Sequence, residues 1–136
     1  MTRLENNWRH ETLTFLEQVE WPGFNSDSRL IKRTKELRKV PLDTFTYEDL
    51  CFMIGQRIGL NYLVPLALEC LSKDLLATGT LFRGELLENV LNIQTQFWDN
   101  NKEHWITLDE LIKGRQSEVS ERKIDLRQFN NSVHRV

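Results

Sequence analysis

At 136 residues with a formal net charge of −2, the chain suits one domain and hides roughly two-thirds of its unfolded surface on folding. Hydrophobic residues at 40% and charged residues at 28% exclude a disordered chain and a fibrous repeat. No stretch approaches the roughly 20 apolar residues of a bilayer-crossing helix.

The N-terminal stretch Met1–Trp8 is polar and lacks the apolar core of a secretory signal, so a cytoplasmic protein is expected. From there the hydrophobic period is helical almost throughout. Trp8, Thr12, Phe15, Leu16 and Val19 share one helical face, which Trp21-Pro22-Gly23 stops. Ser26-Asp27-Ser28 offers the next start. The helix that follows carries Leu30, Ile31, Thr34 and Leu37 inward and its basic residues outward, and Val40-Pro41 closes it. Thr46-Tyr47-Glu48-Asp49 is a near capping box, with the shorter Asp in place of Glu. Tyr47, Leu50, Cys51, Ile54 and Ile58 form one stripe behind it. Gly55 and Gly59 predict close packing and a helix end at Gly59.

Apolar side chains, Tyr62 and Cys70 included, fill most positions from Leu60 to Leu71, so a helix over about 62–73 belongs at the centre, with Pro65 in its first turn. Thr78-Gly79-Thr80 reads as a turn. A helix from Glu85 to about Asn92 follows, then an aromatic turn at Phe97-Trp98. A further helix, starting at Lys102 or Thr107, ends near Lys113-Gly114. The segment 115–136 is read as a polar helix and a loosely docked tail, mobile beyond Asn130. No run of alternating β-branched residues predicts a strand. The expectation is an all-α single domain over 1–136, with six to eight helices around the central apolar one.

Charge is unevenly distributed. Arg29 to Lys39 holds six basic residues and one acid, a local +5, whereas Asp43 to Leu111 holds eleven acids and four bases, a local −7. The basic run suggests a nucleic-acid surface, but an acidic chain with no recognition motif points instead to a solvated or internally paired face.

Catalytic signatures fail on inspection. Gly79 to Gly84 has the two glycines of a phosphate loop, yet Glu85 and Leu86 stand where lysine and a hydroxyl belong, and a carboxylate there repels phosphate. His10-Glu11 opens like a zinc-protease motif, but Thr14 replaces its second histidine. Cys51 and Cys70 lack neighbouring ligands at metal-binding spacing, so no metal and no cofactor are expected. Glu85 and Glu88, three apart, share a helix face, either solvated or turned to a basic partner. Of the tryptophans, Trp8 and Trp98 are expected in the core, while Trp105 is open between core and interface.

The runs Leu37-Arg-Lys-Val-Pro-Leu42, Phe45-Thr-Tyr-Glu-Asp-Leu50, Met53-Ile-Gly-Gln56, Gly59-Leu60, Leu63-Val-Pro-Leu-Ala-Leu-Glu69 and Gly84-Glu-Leu-Leu87 resemble immunity proteins of bacterial contact-dependent growth inhibition (CDI) systems. The resemblance spans about residues 30–98. It implies a helical, non-catalytic cytoplasmic protein that binds the C-terminal toxin domain of a surface-delivered effector and blocks its active site. Such toxins are often nucleases, whose phosphate-holding clefts are basic. An acidic surface with a few buried anchors fits that partner. The surface expected to face the toxin comprises Asp74, Glu85, Glu88, Asp99 and Glu103 beside Trp98 and Trp105. No small-molecule substrate, nucleic acid or membrane is expected as a partner. The alternative is a helical nucleic-acid-binding or regulatory module using the basic helix 29–39.

Overall fold

The computed structural model describes residues 8–18, 28–78 and 81–132. The helix stop at Trp21–Gly23, the residues Val19, Ser26 and Asp27, the glycine of the 78–80 turn and the end of the tail beyond Ser132 lie outside the described residues.

The chain forms helices where capping chemistry permits them to start. Thr12 accepts a bond from the Phe15 amide at 3.1 Å and opens α1, Leu13–Glu17. The N-terminal amphipathic helix expected from Trp8 is therefore broken: Trp8–His10 is a separate 3-10 turn. The break rotates the face, so Leu13 is buried and Phe15 is exposed. Ser28 caps α2, Arg29–Leu37, through the Ile31 amide. Thr34 and Leu37 point inward, and Leu30 is exposed instead of buried. After a 3-10 turn at Leu42–Thr44, Thr46 and Asp49 form the full reciprocal capping box of α3, Tyr47–Gly55, at 3.0 and 3.1 Å.

Helix α3 ends at Gly55, four residues before the glycine expected to stop it. The Arg57 amide reaches the Ile54 carbonyl at 2.9 Å and the Ile58 amide reaches Met53 at 3.0 Å, a Schellman closure with Arg57 at φ 61°. Gly55 serves packing: a Cβ there would lie 3.2 Å from the Asn89 side-chain nitrogen, which donates to the Cys51 carbonyl. Gly59, at φ 69°, opens the next helix.

That helix is α4, Leu60–Lys73, with Leu63, Val64, Leu66, Ala67, Leu68 and Leu71 buried. Each of the leucines and Val64 is worth about 1.5–3 kcal/mol of transfer free energy. Because α4 starts at Leu60, Pro65 is its sixth residue and not in the first turn. The missing N–H removes the bond to the Asn61 carbonyl, and Asn61 is exposed to water.

The remaining helices are α5 (Glu85–Leu91), α6 (Thr95–Asn100), α7 (Lys102–Lys113), α8 (Gln116–Glu121) and α9 (Arg127–Asn130). Helix α4 packs against α3, α5 and α7, while α3 packs most extensively on α5. The all-α architecture around a central apolar helix is the one expected. The described residues hold nine α-helices because the Phe97-Trp98 turn and part of the tail are themselves helical. A single antiparallel bridge, Thr78 with Arg83, is the extended pairing among the described residues. No described helix is long and apolar enough to cross a membrane.

Candidate interaction surface

The first turn of α3 is the centre of an acidic edge. Its capping acid Asp49 also accepts from Arg33 of α2 at 2.8 Å, leaving Glu48 exposed beside it. Burial, with the Glu85 and Glu48 carboxylates acting in the same direction, pushes the Cys51 thiol up to about 12. Tyr47 is raised by burial, then by Cys70, with which it hydrogen-bonds, and by Asp74. Burial raises Cys70 as well, against the lowering effect of that hydrogen bond and of Lys73. Neither thiol supplies a thiolate at neutral pH, so neither is an activated nucleophile. Among the described residues no cluster of three histidine, cysteine or acidic side chains could hold a metal.

Asp74 and Glu85 frame the loop from α4 to α5. One Asp74 oxygen accepts the Leu76 amide at 3.3 Å, and the other lies 3.6 Å from Arg83. Glu85 accepts the Leu81 amide at 2.7 Å. The Gly84 amide donates to Leu76 and Ala77 carbonyls, with Gly84 at φ 90°. Arg122, from the end of α8, donates to the Arg83 carbonyl at 2.8 Å. The backbone is fixed from both sides, yet Leu81 is 78% exposed and Phe82 41% exposed.

The seven residues expected at a toxin-facing surface fall into three groups. Asp74 and Glu85 stand at the two ends of the α4–α5 loop, and Glu88 is one turn along α5, in a recess of about 180 Å³ lined also by Lys123 and Asp125. Asp99 and Glu103 are exposed on either side of the α6–α7 junction. Trp98 has no exposed surface, which removes it from any contact face. Its ring meets Phe97 and Phe129 edge-on, at 5.2 and 5.3 Å. Trp105, half-buried, stacks on Phe129 at 5.0 Å and donates its indole N–H to the Phe129 carbonyl at 2.8 Å. Both tryptophans therefore hold α9 against the core. Sequence reasoning missed Glu48, Leu81 and Phe82. The signal for the loop was an apolar pair between Gly79 and Gly84, in a run weighed only for phosphate binding.

The basic helix α2 is partly committed to internal pairs. Arg38 is buried and meets Glu17 at 2.6 Å, while Arg33 bridges Glu36 and Asp49. Arg29 and Lys32 remain on the rim of a groove of about 570 Å³ that also includes Leu30 and Phe52.

A family model described as CDI immunity proteins matches residues 15–108. No curated protein and no solved structure matches the chain. The match covers more than half of the chain, from α1 through the middle of α7, and includes the whole acidic edge. The chain belongs to the family of CDI immunity proteins.

Proposed function

We propose that the protein neutralises the toxin domain of its cognate CDI effector by stoichiometric binding, without catalysis, in the cytoplasm of the producing cell. The toxin is a nuclease with a basic cleft, and the face presented to it is the acidic side carrying Asp74, Glu85, Glu88, Asp99 and Glu103. Trp98 and Trp105 support that face from beneath. The observation that carries this reading is the family match over residues 15–108. Opposite charge steers a basic partner and sets orientation, whereas buried anchors supply the residence time. The described part of the C-terminal segment, 115–132, works as part of the one helical domain, since Val119 and Phe129 are buried in the common core.

The internal pairing of Arg33 and Arg38 weighs against a nucleic-acid surface on α2. The test is co-expression with the toxin domain encoded beside this gene. Growth is expected to be rescued and the two chains to co-purify. Growth arrest with the immunity protein present at equal level, or no joint purification, overturns the reading.

A further inference from the structure

We infer that the 3-10 turn Trp8–His10 is a strap that splints the central helix α4 across its proline and keeps it from bending there. Pro65 is the weak point of α4. It has no N–H, so the Asn61 carbonyl lacks its helical bond, and a proline in a helix interior favours a kink.

Two adjacent residues of the strap touch α4 on either side of that point. Trp8 meets the Tyr62 ring at 5.7 Å, one turn before the proline, and Arg9 pairs with Glu69, one turn after it. Tyr62, Pro65, Leu66 and Glu69 recur at helical spacing, so they share one face of α4, and Tyr62 to Glu69 spans about 10 Å along the axis. The Arg9 guanidinium also lies 4.6 Å from the centroid of the Trp8 ring, so the two side chains hold each other. A proline kink opens the face that carries the ring, because the ring pushes on the carbonyl four residues back. Opening that face moves Tyr62 and Glu69 apart, and the strap joins them.

The strap is anchored at its other end. His10 Nδ1 lies 2.6 Å from an Asp43 carboxylate oxygen, the Glu11 carbonyl accepts the Leu42 amide at 2.9 Å, and Leu13 is fully buried. None of residues 8–10 is buried, and the ion pairs of Arg9 and His10 reach solvent. Salt therefore weakens the hold, which makes the strap a catch that ionic strength can loosen. The turn precedes the stretch that the family model matches.

The test follows amide hydrogen exchange by NMR in the full-length protein and in Trp8→Ala/Arg9→Gln, each with Pro65 in place and with Pro65→Ala. The amides of Leu66, Ala67 and Leu68 report the turn that follows the proline, and those of Cys70 and Leu71 are the reference further along the same helix. With Pro65 in place, the double substitution is expected to speed exchange at Leu66–Leu68 about fivefold more than at the reference amides, the size of one lost aromatic contact and one lost exposed ion pair. In Pro65→Ala the local excess is expected to fall below about twofold, because the backbone bond to Asn61 is restored. About 0.5 M sodium chloride is expected to produce part of the same excess in the unaltered protein. Equal acceleration at the local and reference amides, or a local excess that persists in Pro65→Ala, makes the strap an ordinary stabilising contact and overturns the inference. Should Pro65→Ala fail to fold, the Pro65 protein decides alone: no local excess in its double variant, or none with salt, overturns the inference as well.

Discussion

Burial and hydrogen bonding make opposite forecasts for the two tryptophans that grip α9. Trp98 is fully buried and Trp105 half-buried, so burial alone assigns the greater loss to Trp98→Phe. The Trp98 indole nitrogen, however, has no hydrogen-bond partner among the described residues, whereas that of Trp105 donates to the Phe129 carbonyl at 2.8 Å. Replacing Trp98 by phenylalanine loses part of a packed ring, about 1–2 kcal/mol by the scale of core truncations. It also removes an unsatisfied buried donor, which returns about 1–3 kcal/mol. The net change lies between a loss of about 1 and a gain of about 2 kcal/mol. Trp105→Phe loses a smaller area and a satisfied bond, while the Phe129 carbonyl keeps the Ser132 amide at 3.1 Å, for a net cost of about 1–2 kcal/mol. Urea unfolding followed by far-UV circular dichroism measures both, without relying on the fluorophore being changed. A Trp98→Phe variant that is less stable than Trp105→Phe refutes the reasoning.

Phe129→Ala removes the ring between both indoles and is expected to cost about 3–5 kcal/mol in the same urea assay, showing that the C-terminal helix belongs to the common core; a cost below about 1 kcal/mol makes it a dispensable tail. Lys123, at φ 56°, closes α8 with its amide on the Ser120 carbonyl, so Lys123→Gly relieves left-handed backbone and is expected to stabilise by about 0.5–1 kcal/mol. The Cys51 thiol, raised to about 12 by burial, has a higher pKa in the folded than in the unfolded chain. Its contribution to stability is therefore complete below about pH 8.5 and is lost as the pH climbs towards 12. Accordingly, Cys51 is expected to resist thiol reagents at pH 8 until urea unfolds the protein, as read by a colorimetric thiol count. Charge reversal at Glu85 and Glu88 is expected to slow association with the toxin domain about tenfold at low salt, and by much less at high salt, in stopped-flow measurements.

Local chemistry in the sequence located most helices. Ser28 and Thr46 cap where side-chain spacing predicts, and the apolar density from Leu60 to Leu71 identifies the central helix. The errors arise where two local signals compete. Thr12 fits the inward face of a long N-terminal helix and also the cap of a shorter one. The cap prevails, with Leu13 turned in against the glycine at 59, where a Cβ would lie 2.8 Å from the Leu13 Cδ1. Gly55 and Gly59 read as a pair, yet they do different work, one admitting Asn89 and the other opening α4. At the proposed interaction surface, residue type indicated the acidic character but not the arrangement. Trp98 is aromatic and lies beside acids in sequence, but it is enclosed by Phe97 and Phe129. The exposure of Leu81 and Phe82 depends on backbone bonds from Glu85 and Arg122, and the latter lies 39 residues from its acceptor. No periodicity within the loop records such a contact.

Mixing the purified protein with an equimolar amount of the toxin domain encoded beside it, and weighing the products by light scattering after size-exclusion chromatography, tests immunity by direct binding. A single peak with the summed mass of one copy of each chain, in which the toxin is inactive, is the expected result. Two separate peaks carrying the unaltered masses, or a joint peak that retains full toxin activity, contradict it.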